Sequence, residues 1–396
     1  MQSQGAKESE ADGFMKSGKK HLEKSLFHLR ANYDGAAEDF DKAARIYTNI
    51  NNYPKALDAW TRASQAHAKA HNDFSAANSL ERLGDFIAQY MVESRNSVYA
   101  GTNATATQSL DLPMFKEGIR AYEEASKCYG VATNGQKQAG ALKKAADLIS
   151  RSLAAAQRQQ PKPGPIVNKS TETANIAFLQ EEYKRLIPQV IELMQRNWEA
   201  TESKPFELPD IYRGYILFHL RSGNIEGAVQ VEKNMIGIVS TSPADGTYDD
   251  SKNLFRILNQ PTNAAKAGLE IVVLCLSTSV DDGYTWANIE MGRMGAVFGF
   301  CGSPEEQTAA ALLAAYADRD EDALQETFKT HSCFNFLAAD ISRMAKKLTM
   351  GAKARPKAVA GGSPVPAAAG GVSGPSGSPN APQQADLSET DEDDLR

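Results

Sequence analysis

The chain is 396 residues long, 42% apolar and 23% charged, with a formal net charge of −6; this is an ordinary globular composition with room for ~2 to 3 domains, and it excludes a chain disordered throughout. No apolar run approaches the ~18 residues that a membrane-spanning helix needs, and the opening "MQSQGAKESEADG" lacks the basic-then-apolar order of a signal peptide. The four cysteines, Cys128, Cys275, Cys301 and Cys333, are scattered without a CxxC pair, so the expectation is a soluble intracellular protein whose thiols are reduced core residues.

Residues 1–13 are polar and acidic and are expected to be disordered. From 14 to 160 the chain reads as helix after helix, organised by an internal repeat. An aromatic residue opens successive units at Tyr33, Tyr53, Phe74 and Phe115. Three positions on comes a small residue (Ala36, Ala56, Ala77, Gly118), seven on a large aromatic in three units (Phe40, Trp60, Tyr122), and ten on another small one (Ala43, Ala63, Gly84, Ala125). A fifth unit without the leading aromatic places Ala139 and Ala146 in the small positions. Offsets of 3, 7 and 10 fall on one stripe of a 3.6-residue helix. Small and bulky side chains alternating along that stripe let helices approach closely, each aromatic filling the space over its neighbour's alanines. The expected fold is therefore all-α: a tetratricopeptide-like, right-handed solenoid of helical hairpins. Asn-rich punctuation, "NINNYP" and "AHNDF", marks the unit boundaries, and 95–112 reads as an exposed loop.

Pro161, Pro163 and Pro165 interrupt the pattern, so a linker or loop is expected over 161–175. A C-terminal helical region spans 176–350, carrying an insertion at about 240–303 that holds turn residues, the β-branched run Ile271–Val273 and Gly292, Gly295, Gly299 and Gly302. Residues 351–396 are dominated by Ala, Gly, Pro and Ser and are expected to be a disordered tail. That tail ends acidic: residues 386–396 carry six carboxylates against one cation, Arg396, leaving the rest of the chain near neutral.

Catalytic signatures are missing. There is no GxxxxGK[ST], HExxH or GxSxG, and the glycines at 292–302 do not fit GxGxxG. His67 and His71 stand one helical turn apart, a spacing that can hold a metal, although helix-surface histidines are the plainer reading. The expectation is a binding protein, not an enzyme, with no metal, cofactor or nucleic-acid partner. Three contact elements stand out. Leu26, Phe27 and Leu29, flanked by Lys24 and Arg30, place apolar groups amid cations and suit an anionic membrane surface, with a place in the core of the first helix pair as the alternative. Basic residues on the repeat helices, Lys42, Lys55, Arg62, Lys116, Lys143 and Lys144 among them, offer a face for an acidic helical partner. The third element is the acidic run Asp391, Glu392, Asp393 and Asp394 with Leu395 at its tip.

The run "YDGAAEDFDKAARIYTNINNYPKALDAWTRASQAHAKAHNDFSAANSLERLG" resembles the N-terminal repeats of the soluble NSF attachment proteins, the gamma class in particular. "YILFHLRSGNIEGAVQ" and "TAAALLAAYADRDEDALQETFKTHSCFNFLAADISRMAKKL" are similar to that class's C-terminal helices, whereas "DEDDLR" looks like the alpha-class terminus. The resemblance covers about half the chain. It implies an adaptor that binds SNARE complexes (syntaxin-like helices) and recruits and stimulates the hexameric AAA+ ATPase N-ethylmaleimide-sensitive factor. It implies a cytoplasmic protein, peripheral on vesicle, Golgi or vacuolar membranes, whose Asp391–Asp394 run meets basic grooves on the ATPase while Leu395 stimulates hydrolysis. Segment 159–165 stands where a further helix pair belongs, and 240–303 has no counterpart in the family. A generic tetratricopeptide scaffold that clamps peptide carboxylates is the first rival. An enzyme with Asp281, Asp282, Tyr284 and Glu290 gathered in 240–303 is the second.

Overall fold

A computed structural model of the chain describes residues 3–23, 31–99, 112–158, 169–239 and 246–350, the side chains of 92–99, 157–158 and 169–172 excepted. The protein is predominantly helical. In chain order the elements are α1 (Gln4–Leu22), α2 (Tyr33–Asn49), α3 (Tyr53–Lys69), α4 (Asp73–Tyr99), α5 (Leu112–Val131), α6 (Gly135–Arg158), α7 (Lys169–Thr201), α8 (Leu208–Arg221) and α9 (Ile225–Met235). An antiparallel hairpin follows, β1 (Ile236–Val239) with β2 (Thr247–Asn253), Ile238 opposite Tyr248 and a register irregularity between Ile236 and Ile238. Then come α10 (Leu254–Ile257), α11 (Pro261–Leu276), α12 (Asp281–Met294), α13 (Pro304–Asp318), α14 (Glu321–Thr330), a 3₁₀ turn (Ser332–Phe336) and α15 (Ala339–Ala345).

One recurring turn explains why helices follow each other so closely. At the α2–α3, α3–α4, α5–α6 and α8–α9 junctions the chain takes one residue at positive φ, namely Asn51 (55°), His71 (58°), Thr133 (55°) and Gly223 (70°). The next residue is always asparagine. The backbone N–H of Asn52, Asn72, Asn134 and Asn224 donates to a carbonyl five residues back (Tyr47, His67, Tyr129, His219), at 2.9 Å each time. This closes the ending helix in a Schellman pattern. The same asparagine's side-chain oxygen then accepts a backbone N–H of the helix that begins, from Lys55, Ser75, Lys137 and Gly227 respectively. One residue therefore stops one helix and starts the next, which is why asparagine punctuates the repeat.

From α1 to α7 each helix packs against its successor, and the alternating stripe forms the contact. Ala36, Phe40, Ala43, Ala56, Trp60, Ala63, Ala77, Phe115, Tyr122, Ala125, Ala139 and Ala146 are all buried, whereas Phe74 is exposed. The aromatic-over-small expectation has a direct geometric form. A Cβ added at Gly18 of α1 would lie 2.6 Å from the Phe40 ring of α2, and one added at Gly84 of α4 would lie 2.6 Å from the Tyr122 ring of α5. Gly84→Ala is accordingly expected to destabilise: overlap with a buried ring costs about 1–3 kcal/mol, against the ~1 kcal/mol that alanine contributes to a helix interior. Gly140 of α6 faces open space, so Gly140→Ala is expected to stabilise. Urea unfolding of the two variants checks the opposite signs.

The C-terminal half is built around α11, in which every residue from Ala267 to Leu276 is buried. α9, α12, α13 and α15 pack around it. Gly268 lets the Phe300 ring in, since a Cβ there would come within 2.5 Å of it.

The structure departs from the sequence reading at several boundaries. Residues 4–13 are helical, not disordered: Ser3 caps α1, and Ala11 is fully buried. The expected linker at 161–175 ends earlier, because α7 begins at Lys169, and the expected loop at 95–112 is helical as far as Tyr99. The 240–303 stretch contains α10, α11 and α12, and Ile271–Val273 belongs to the central helix. Residues 351–396 lie outside the described residues.

Candidate functional site

The polar groups that join the N-terminal helices follow one scheme. On α1, Glu8 and Asp12 stand one turn apart. Tyr47 of α2 donates its hydroxyl to Asp12 at 2.6 Å, and Lys55 of α3 reaches Asp12 at 2.8 Å and Glu8 at 3.0 Å. On α4, Glu81 and Asp85 repeat the arrangement. Tyr122 of α5 donates to Asp85 at 2.8 Å and Tyr129 to Glu81 at 2.6 Å, while Lys144 of α6 reaches Glu81 at 2.7 Å and Asp85 at 2.9 Å. On α2, Asp41 takes His67 Nε2 of α3 at 3.2 Å and Ser79 Oγ of α4 at 3.0 Å. In each case a carboxylate of one helix is bound by the next helix and by the one after. Glu123 of α5 with Arg185 of α7, at 2.7 Å, extends the series.

These contacts leave electrostatic marks. Hydrogen bonds from Lys55, then Tyr47, hold the Asp12 carboxyl below its usual range. At Glu81 burial pushes upward, but Lys144 and Tyr129 outweigh it and the carboxyl again titrates low. Burial raises the Tyr122 and Tyr129 phenols, helped by the carboxylates they donate to.

All six candidate basic residues are engaged within the chain. Lys55 and Lys144 belong to the interhelix ties. Lys143 of α6 meets Glu207, just ahead of α8, at 2.6 Å. Lys116 sits 4.6 Å from the centroid of the Phe178 ring on α7. Lys42 lies near Glu38 and Asp39 and over Phe14, and Arg62 pairs with Asp58 on its own helix at 2.9 Å. The candidate membrane residues Lys24, Leu26, Phe27, Leu29 and Arg30, and the tail residues Asp391, Glu392, Asp393, Asp394 and Leu395, lie outside the described residues.

Two readings of side chains are corrected. His67 is buried against Asp41 and His71 sits in the turn after α3 at positive φ, so the pair does not share a helical face. Among the described residues no group of three or more His, Cys, Asp or Glu is placed to hold a metal. Cys275 and Cys333 are buried as expected, but Cys301 is exposed and Cys128 half-buried.

Of the four side chains named in 240–303, only Glu290 is buried. Asp281 pairs with Arg319 at the surface, Asp282 accepts a hydrogen bond from Ser279, and Tyr284 is half-buried. Glu290 is fully buried. One of its oxygens takes Lys233 Nζ of α9 at 3.0 Å, Arg293 at 2.6 Å and the Trp286 indole N–H at 3.3 Å. Lys233 is itself 0% exposed. Beside it, Glu232 of α9 and Glu270 of α11 form a second buried pair. Sequence reasoning missed Lys233, Glu232 and Glu270, because a charged residue on a helix reads as solvent-facing unless its partner is known.

A groove of about 100 Å³ opens between α6, α7 and α8, lined by Ser150, Leu153, Tyr183, Phe218 and Arg221 among others. Burial pushes the Tyr183 phenol up to about 12. Among the described residues no helix is long and apolar enough to cross a membrane. No family model matches the chain.

Proposed function

We propose that the chain is a non-catalytic adaptor of the soluble NSF attachment type. In this reading α1–α8 form a right-handed, two-layer tetratricopeptide-like stack that grips SNARE helices. The acidic end, Asp391–Asp394 with Leu395, then recruits and stimulates the hexameric AAA+ ATPase on the cytoplasmic side of vesicle, Golgi or vacuolar membranes. The observation that carries it is the repeated tie from one helix to the second next. Ties of that kind suit a rigid spacer that must withstand being pulled between a coiled cargo and a motor. The sequence likeness of the repeats and of the C-terminal helices supplies the identity of cargo and motor.

The rival peptide clamp needs Lys, Asn and Arg side chains converging on a peptide carboxylate. Here Asn52, Asn72 and Asn134 cap helices, and Lys55 and Lys144 bind the chain's own carboxylates. Those engagements favour the adaptor.

A pull-down from detergent extract in the presence of non-hydrolysable ATP tests the reading. Co-recovery of a hexameric ATPase together with SNARE helices is the expected result. Recovery of neither overturns it, and recovery of a chaperone through its C-terminal peptide transfers the assignment to the clamp.

A further inference from the structure

The last described segment of the chain is held to the body by backbone amides that donate to carboxylates. Ala338 N–H, directly ahead of α15, donates to Glu270 Oε1 at 2.6 Å, and Met350 N–H donates to Glu321 Oε2 at 2.8 Å. Leu337, Ile341, Ala345 and Leu348 bury their side chains between these two points. Glu270 sits mid-helix on α11 and is 3% exposed, so it is a carboxyl placed inside the apolar core. Its neighbour there is Glu232 of α9, 1% exposed and hydrogen-bonded to it. The other oxygen of Glu232, Oε2, is buried without a hydrogen-bond partner.

Two carboxyls in hydrogen-bond contact away from water do not readily both ionise, because burial removes the solvent that would spread the second charge. One proton between them satisfies the geometry: Glu232 donates to Glu270, and Glu270 keeps its remaining acceptor capacity for Ala338 N–H. The surroundings favour this state. Burial first, and then the Glu270 carboxylate, hold the Glu232 carboxyl well above the usual range, while the charge of Arg213 on α8 pulls it partly back. Lys233, the next residue on α9, is engaged with Glu290 of α12, as is Arg293. β1 brings no titratable side chain, and α15 buries Ile341 and Ala345 while Asp340 and Arg343 pair with each other. From α13 the buried titratable group is Tyr316, pushed up to about 12 by burial.

We propose that Glu232 and Glu270 share one proton that holds α9 against α11 as a latch beneath residues 337–350, and that loss of this proton to solvent drives the two carboxylates apart, displaces the Glu270 acceptor of Ala338 N–H and so releases the segment from the body. The device regulates the stretch that leads into residues 351–396, and it stands whether or not the adaptor reading holds. The sign follows from linkage. A carboxyl whose folded affinity for the proton exceeds its unfolded affinity stabilises the fold most at low pH. That contribution fades as pH rises from the ordinary carboxyl range up to the raised folded value. The latch is therefore closed in acid and opens in base.

Hydrogen exchange of the full-length protein at pH 6 and pH 9, expressed as protection relative to the intrinsic rate at each pH, tests this. Peptides within 337–350 are expected to lose protection at least tenfold at pH 9, while peptides of α2 and α3 keep theirs. Glu232→Gln preserves the donor without titrating and is expected to hold the segment equally at both pH values. Protection of 337–350 that is independent of pH in the wild-type chain, or that falls equally in Glu232→Gln, overturns the proposal. If the variant does not fold, the wild-type comparison decides alone.

Discussion

Glu290→Ala is expected to lower the free energy of unfolding by about 3–5 kcal/mol. Three donors converge on one oxygen of this side chain, and the ammonium of Lys233 is fully enclosed with it. Removing the carboxylate leaves the positive charge of Lys233 in the core without the counter-charge that now neutralises it. Desolvation makes that far more damaging than the loss of a surface pair, which is worth about 0–1 kcal/mol. The converse substitution is milder. In Lys233→Met/Glu290→Leu the enclosed pair disappears and apolar volume takes its place, while the part-exposed Arg293 turns to solvent, so stability is expected to return most of the way to wild type. Urea unfolding of the two variants measures both effects. A loss below about 1 kcal/mol in Glu290→Ala would show that the network is not the anchor its burial implies.

On the proposed adaptor role, Leu395→Ala is expected to reduce ATPase stimulation about tenfold while leaving SNARE binding unchanged. Burying one leucine contributes about 1.5–3 kcal/mol, less the ordering of a chain end. The acidic residues before it, Asp391 to Asp394, supply a salt-sensitive attraction that increases the rate of encounter. Either contribution is weak for one tail and strengthens when several adaptors surround one hexamer. Steady-state hydrolysis at saturating adaptor, beside a SNARE pull-down, separates the two functions. Unchanged stimulation removes the tail from the mechanism.

The repeat stripe could be read from the sequence because spacing alone places Phe40 over a small residue and Tyr122 over another. Two of the asparagine turns, at Asn52 and Asn72, were legible for a similar reason, their hydrogen bonds being local, whereas those at Asn134 and Asn224 were passed over. The first half of α1 was not legible. Beside the buried Ala11 it is tied down by Glu8 and Asp12, which read as solvent-facing until Tyr47 and Lys55, 35 and 43 positions away from Asp12, supply partners. The basic residues show the same blindness from the other side: Lys144 finds Asp85 across 59 positions. α11 escaped detection for a different cause. A helix enclosed on every side has no polar face, so its sequence lacks the 3.6-residue alternation by which helices are recognised.

That enclosed helix also constrains how the protein comes into being. α11 is complete at Leu276, but three of the elements that wrap it, α12, α13 and α15, lie downstream and end only at Ala345. During translation at ~5–20 residues per second, a bare oily rod is therefore presented to solvent for roughly 4–14 s before its cover emerges. A ribosome-bound chaperone, or fast provisional docking onto the already finished α9, would have to shield it. Fragments truncated between 276 and 345 should accumulate as insoluble material.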